Sequence, residues 1–239
     1  MRLFLLVALT MIAFAANSVL NRMAVDGGHI DPSSFAVVRV LAGALVLGMV
    51  LSAWGGRLPL LEKDRILGAL SLAAYMIGFS LAYATLDSGL GALILFGVVQ
   101  ITMFAYGFVA GSRPSVRQFV GAGIAFVGLL IALWPGPGGQ ADIGGAVLMT
   151  IAGVGWALYT LVGRRAANPL AATAANFLLA LPLLVLLLVG QGLTASPTGI
   201  GLAVLAGGLT SGLGYTLWYS LLPRLTASTA AVVQLSVPV

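Results

Sequence analysis

LWYSLLPRLTASTAAVVQLSVPV, residues 217–239, follows the outline of an earlier stretch, LAYATLDSGLGALILFGVVQ, residues 81–100. Each opens on Leu-x-Tyr-x-x-Leu (Leu81 to Leu86, Leu217 to Leu222), breaks at a polar turn and re-enters an apolar run containing a glutamine. What the echo means depends on how often the chain crosses a bilayer between the copies. Apolar stretches of the length needed to cross a hydrocarbon core of about 30 Å run at about Leu3 to Leu20, Phe35 to Trp54, Ile66 to Leu86, Leu90 to Ala110, Val116 to Trp134, Ile143 to Gly163, Ala171 to Val189 and Gly199 to Leu222. The breaks between them, GGHIDPSS, GGRLPLLEKDR, GSRPS, PGPGGQAD and GQGLTASPT, combine turn formers with polar residues. The echo therefore relates helices 3 and 4 to helices 8 and 9, and Ile12-Ala13 pairs with Ile151-Ala152 to relate helix 1 to helix 6. An odd shift of five reverses the direction of crossing, so the halves are inverted. The expected fold is an all-α integral membrane protein of two inverted five-helix repeats, residues 1–134 and 143–239, with eight full transmembrane helices and the start of a ninth.

Composition agrees. Of 239 residues, 60% are hydrophobic and 7% charged, too few charges for a water-soluble surface, where about a quarter is usual. The net charge of +5 comes from Arg and Lys in ones and twos beside apolar runs, with no basic stripe for nucleic acid. Nine of the eleven fall in alternate connections: Arg2; Arg57, Lys63 and Arg65; Arg113 and Arg117; Arg164 and Arg165; Arg224. Positive residues in short loops stay cytoplasmic, so the N-terminus is expected in the cytoplasm, with the chain in the cell (inner) membrane. Arg22 alone falls toward the outside. Arg2, an apolar run and Ala13-Phe14-Ala15 imitate a cleavable leader. That run continues to Leu20, however, and its removal would invert every later helix against the charge pattern. After Arg224, ASTAAVVQLSVPV supplies thirteen residues, about 20 Å of helix, so the chain is expected to be cut short within helix 9.

Chemistry-bearing residues are few. Cysteine is absent, and the single histidine, His29, sits in a polar loop. These exclude disulfides and thiolate sites, leave no metal cluster or cofactor motif in view, and give an intramembrane enzyme neither a nucleophile with its base nor a metal. Asp26, Asp31, Glu62, Asp64, Asp87 and Asp142 all lie in loops or at helix ends, so no carboxylate proton relay is expected within the spans. Arg39 stands out as an ionised side chain within a span, either holding a carboxylate or phosphate through its planar fork or snorkelling to the interface. Tyr75, Phe79 and Tyr83 share one face of helix 3, and Tyr215, Trp218 and Tyr219 one face of helix 8. They suit either a substrate cavity or packing and interfacial anchoring. Asn17, Gln100 and Gln234, with Trp156, are polar groups that in lipid must face protein or a wet cavity.

The run FAVVRVLAGALVL with Arg39, the Tyr83 region before a small-residue turn, GVGWALYTLVGRR of helix 6 and GYTLWYSLLPRLTASTAAVVQLSVPV, ending on Pro238, resemble the drug/metabolite transporter superfamily, specifically its EamA-type ten-helix exporters. The resemblance spans the whole chain. It implies a central cavity lined mainly by helices 1, 3, 4, 6, 8 and 9, which brings Asn17, Gln100 and Trp156 toward substrate, and export of amino acids or related metabolites. Pro238 would act as a hinge. The sequence departs from that pattern where Gln100 replaces a proline and where GSRPS, near Ser112, replaces a glutamate. The expected function is a small-metabolite exporter or exchanger, amino acids favoured, working by alternating access. The alternative is a non-transporting membrane assembly or lipid-interacting protein.

Overall fold

The computed structural model describes residues 2–83, 85–86, 88–111, 115–133, 142–190 and 192–237, apart from the side chains of residues 88 and 129. Pro238 and residues 112–114 of the GSRPS turn lie outside the described residues. Helices α1 (Arg2–Val25), α2 (Pro32–Ala53), α3 (Lys63–Ala82), α4 (Ser88–Val109), α5 (Val116–Leu133), α6 (Ile143–Gly163) and α7 (Pro169–Val185) precede a long eighth span, α8, over Pro197–Arg224. This span is α-helical at Pro197–Leu205, π-helical at Ala206–Leu213 and α-helical again at Gly214–Leu221. A last helix, α9, covers Ala227–Gln234.

Several helices start before their apolar runs because capping chemistry, rather than hydrophobicity, sets the first turn. Asp31 accepts from the N–H groups of Ser33 and Ser34, at 3.0 Å each, and Pro32 occupies the first turn of α2. Asn168 before Pro169 and Ser196 before Pro197 do the same for α7 and α8. At the other end, α1 runs on to Val25 and carries Asn21 and Arg22 inside the helix.

Among the described residues, seven helices are long and apolar enough to cross a membrane. The 18 residues of α5 reach about 27 Å. The outer faces are oily throughout: Phe4, Ile12, Val109, Ile131 and Ile143 are all well exposed. A surface of that kind is stable only in lipid.

Packing runs mainly between the two halves of the sequence rather than within them. α3 packs on α6 and α7, α2 on α7 and α8, α4 on α6, and α1 along α8. Small residues permit these approaches. A Cβ on Gly207 would collide with the backbone carbonyl of Arg39, so α2 and α8 touch backbone to backbone where α8 widens into its π-helical stretch. Gly207→Val should force the pair apart. Overpacking of this kind costs about 1–3 kcal/mol, and thermal unfolding in detergent should show a clearly lowered midpoint. An unchanged midpoint would mean that the helices do not meet at this glycine.

One pair breaks the symmetry. α4 lies against α6, and a Cβ on Gly153 would stand 2.8 Å from Val98 Cβ and 3.0 Å from the Leu95 carbonyl. By the sequence echo the equivalent pair is α9 with α1, yet among the described residues α1 has no comparable packing on α9. The pairing of Ile12-Ala13 with Ile151-Ala152 sets Phe14 where α6 has Gly153. The Phe14 ring turns instead onto Trp156, Tyr215 and Trp218, and the bundle is open between α1 and α9.

Candidate functional site

The opening is a cavity of about 330 Å³ whose walls come from α1, α3, α4, α6, α8 and α9. Its mouth lies at the bundle end that carries Asn21, Arg22, Asp26 and Tyr83. Helical periodicity explains the α1 wall: Phe14, Ser18, Asn21, Arg22 and Val25 recur every three or four residues on one face. At the same end, Asp142 accepts from the Gly145 N–H at 2.7 Å and the Thr85 hydroxyl at 2.9 Å. Those two bonds, the first the stronger influence, hold its carboxyl below the usual carboxylate range and tie the turn after α3 to the start of α6.

The floor is aromatic. Trp156 lies 5.0 Å from Tyr75 and 4.9 Å from Tyr215 between ring centroids, and Phe14 meets Trp156, Tyr215 and Trp218 edge-on. Phe79 and Tyr83 continue the wall upward, 4.7 Å apart. The Trp156 Nε1–H donates to Gln234 Oε1 at 2.6 Å and joins α6 to α9 beneath the cavity.

Behind this floor, Arg39 is 1% exposed. Its Nε donates to Ser211 Oγ at 2.8 Å and its Nη2 to the Tyr215 hydroxyl oxygen at 2.9 Å, with Tyr75 against the same guanidinium. An arginine can only donate, and this fixes the polarity of everything attached to it. Ser211 accepts from Arg39, so its own proton goes to Asn17 Oδ1 at 3.3 Å; Thr210 Oγ1 lies 3.0 Å from the same oxygen and 2.9 Å from the Ala206 carbonyl, which share its single proton. With its carbonyl oxygen engaged, Asn17 has its NH2 group left to offer the cavity. Tyr215, accepting from Arg39, turns its own proton toward the neighbouring Tyr75 phenol, and both rings line the cavity. The chain of bonds carries the polarity of a buried cation to the cavity wall.

The sequence candidates divide accordingly. Asn17, Tyr75, Phe79, Tyr83, Trp156 and Tyr215 line the cavity. Arg39 stands one layer behind it. Trp218 is buried against Phe14, and Tyr219 lies against Tyr159 on the far side of the floor. Gln100 is buried outside the cavity wall, and among the described residues neither of its amide atoms has a hydrogen-bond partner. Pro238 lies outside the described residues. Phe14 and Arg22 were not among the candidates, although the α1 periodicity marks their face. Arg65, counted in the sequence as a cation at the membrane boundary, is the third residue of α3 and only 2% exposed. Its helix turns it inward, against α6 and α7. Among the described residues no group of three or more His, Asp or Glu side chains could hold a metal.

Similarity to known proteins bears on this arrangement. The model of the EamA-like transporter family matches residues 1–134 and again residues 143–239. The chain belongs to that family. Among similar proteins, Uncharacterized protein PA1977 of Pseudomonas aeruginosa is 46% identical over 242 residues, spanning 100% of this chain and 83% of that protein. A protein of Clostridium kluyveri named as an uncharacterized transporter is 26% identical over 176 residues, 68% of this chain and 56% of its own length. A solved structure titled "Crystal structure of protein" superposes with a TM-score of 0.81 over 99% of this chain and 84% of that one. At 18% identity it speaks for the fold alone. This EamA-like transporter is thus a multi-pass membrane protein with an aromatic cavity where the two halves of its sequence meet.

Proposed function

We propose that this EamA-like protein is an exporter or exchanger of small metabolites, amino acids favoured, that works by alternating access in the inner membrane with its N-terminus in the cytoplasm. The observation that carries the reading is the donor at the cavity wall. Arg39, which can only donate, occupies the Ser211 and Tyr215 oxygens, so Asn17 keeps its NH2 for the cavity and the paired Tyr215 and Tyr75 phenols stand beside it. Such a wall suits the carboxylate of an amino acid, while Trp156, Tyr75 and Phe79 suit an apolar side chain. A volume of about 330 Å³ falls at the small end of ligand sites, which run from about 300 to 1,000 Å³. Arg39 acts through Tyr215 and Ser211 as a positioning residue. Alternating access is supported by the repeat architecture, in which one half can rock against the other around a cavity placed between them. With the N-terminus in the cytoplasm, the open mouth faces outward.

The test is counterflow of labelled neutral amino acids in proteoliposomes, set beside their decarboxylated amines. Saturable flux of amino acids alone is expected. Asn17→Leu should raise half-saturation about tenfold, the equivalent of one lost hydrogen bond to a charged ligand. Absence of saturable flux for every amino acid, or equal transport of the amines, would overturn the amino-acid reading.

A further inference from the structure

A second polar cluster lies on the far side of the aromatic floor. Tyr159 of α6 meets Tyr219 of α8 edge-on at 5.1 Å and touches the floor itself, with ring centroids 6.0 Å from Trp156 and 6.2 Å from Tyr215. Asn176 of α7 and Arg65 of α3 adjoin the same phenol. All four side chains are buried: Arg65 and Tyr219 are 2% exposed, Asn176 1% and Tyr159 0%. Even so, Arg65 Nη1, the Tyr159 and Tyr219 hydroxyls and Asn176 Oδ1 reach no partner at hydrogen-bonding geometry among the described residues, the two phenols and the amide adjoining one another without a well-formed bond. Glu62 stands 3.4 Å from Arg65 Nε with its own side chain 63% exposed. A buried polar atom without a partner costs about 1–3 kcal/mol, more if charged. Three such side chains clustered with one buried cation, in a protein proposed to change shape as it works, describe a site seen closed.

The sequence echo says what opens it. Laying residues 81–86 on 217–222 sets Tyr83 on Tyr219 and, four residues earlier, Phe79 on Tyr215. Tyr83 stands at the open mouth of the cavity; Tyr219 is its counterpart at the opposite end of the bundle. In an inverted repeat, the two halves exchange roles when access switches from one face to the other. The donors around Arg65 then face water as those around Arg39 do now. We infer that Arg65, Asn176, Tyr159 and Tyr219 form an inner carboxylate-binding station, one aromatic layer below the outer cavity, which opens at the Arg65 end as the Asp26 end closes. The inference rests on the alternating access proposed above and adds to it a second site and its ligand chemistry: one anionic carboxylate held by a guanidinium and neutral donors.

The absence of native cysteine makes the test clean. In vesicles of each sidedness, Asn176→Cys is exposed to a cationic, membrane-impermeant thiosulfonate, with Asn21→Cys marking the open mouth. Asn176→Cys should react from the face opposite to Asn21→Cys. Isocaproate, a plain carboxylate, should slow that reaction about fivefold, an effect equivalent to roughly 1 kcal/mol, and isoamylamine should not. Adding Arg65→Gln should abolish the protection, and Arg65→Lys should retain most of it. Should Asn176→Cys fail to insert, Tyr219→Cys reports on the same cluster. Lack of reaction from the opposite face, equal slowing by isoamylamine, or protection that survives Arg65→Gln would each overturn the inner station. Amino-acid flux measured in parallel separates the two ideas: flux without isocaproate protection removes the inner station alone, while protection without flux removes the amino-acid reading alone.

Discussion

An Arg39→Met chain is expected to unfold within a few degrees of the parent and to lose transport by about 30- to 100-fold, the equivalent of 2–3 kcal/mol. The two effects part company because of what Arg39 costs and what it supplies. Its guanidinium is buried with two hydrogen-bonded neighbours, Ser211 and Tyr215, and among the described residues the single ion pair is Arg65 with Glu62. Hydrogen bonds to a charged group contribute about 1.5–3 kcal/mol each. Burying the charge costs several kcal/mol. The sum is near zero, and a methionine of similar length fills the space. Function has no such compensation. Without the arginine, Ser211 and Tyr215 are free to reverse their protons, Asn17 can flip its amide, and the cavity wall no longer presents a fixed donor. The measurements are thermal unfolding in detergent and initial flux on the same preparation. A fall of more than about 10 °C in midpoint, well beyond the 2–4 °C that 1 kcal/mol moves a domain of this size, with flux falling only in proportion to folded protein, would make Arg39 a structural residue.

Trp156 carries the second large effect. Trp156→Ala should cost about 3–5 kcal/mol, as expected for a tryptophan removed from a packed core, and should abolish flux. The indole is the central tile of the floor, in ring contact with Phe14, Tyr75, Tyr159 and Tyr215. Trp156→Phe keeps most of that packing and leaves Gln234 Oε1 buried without its donor, a penalty of about 1–3 kcal/mol. Gln234→Leu in the same chain should recover part of the loss, so a double-mutant cycle should show coupling of at least about 0.5 kcal/mol. Additive effects would mean that the 2.6 Å bond between α6 and α9 contributes nothing to the closed floor.

How far the sequence reached differs between fold and site. The spans, their caps and the repeat are written locally, since hydrocarbon thickness needs a continuous apolar run and a capping residue acts within three positions of itself. Asp31 before Pro32 and Asp142 before Ile143 are of this kind. Faces are local too: Tyr75, Phe79 and Tyr83 share one because four residues make about a turn. Their wall could be read from spacing, and so could the α1 stripe from Phe14 to Val25. The reading fails where two residues on one face end in different layers. Tyr215 and Trp218 are three apart, yet Tyr215 lines the cavity and Trp218 packs against Phe14.

Charge pattern misleads in the same manner. Arg39 stands alone in its span when viewed along the chain, yet its partner Ser211 lies 172 residues away. Arg65 belongs to a cluster of boundary cations by position, and the crossing of α3 with α6 and α7 turns it inward. The repeat pairs Tyr83 with Tyr219 in the sequence, one ending at an open mouth and the other in a closed cluster.

The sequence by itself determined that the chain crosses a bilayer, where its apolar spans lie to within about a turn, and that its second half echoes the first. Only the tertiary structure decided which faces meet, and so that Asn17 and Tyr215 line a cavity backed by Arg39 while Tyr219 and Arg65 lie closed beneath it. The reason is physical. Helix formation and membrane insertion answer to neighbours within a turn or a span, whereas a polar side chain in lipid is satisfied by whichever helix arrives beside it. That arrival depends on a glycine such as Gly207 or Gly153 far along the chain.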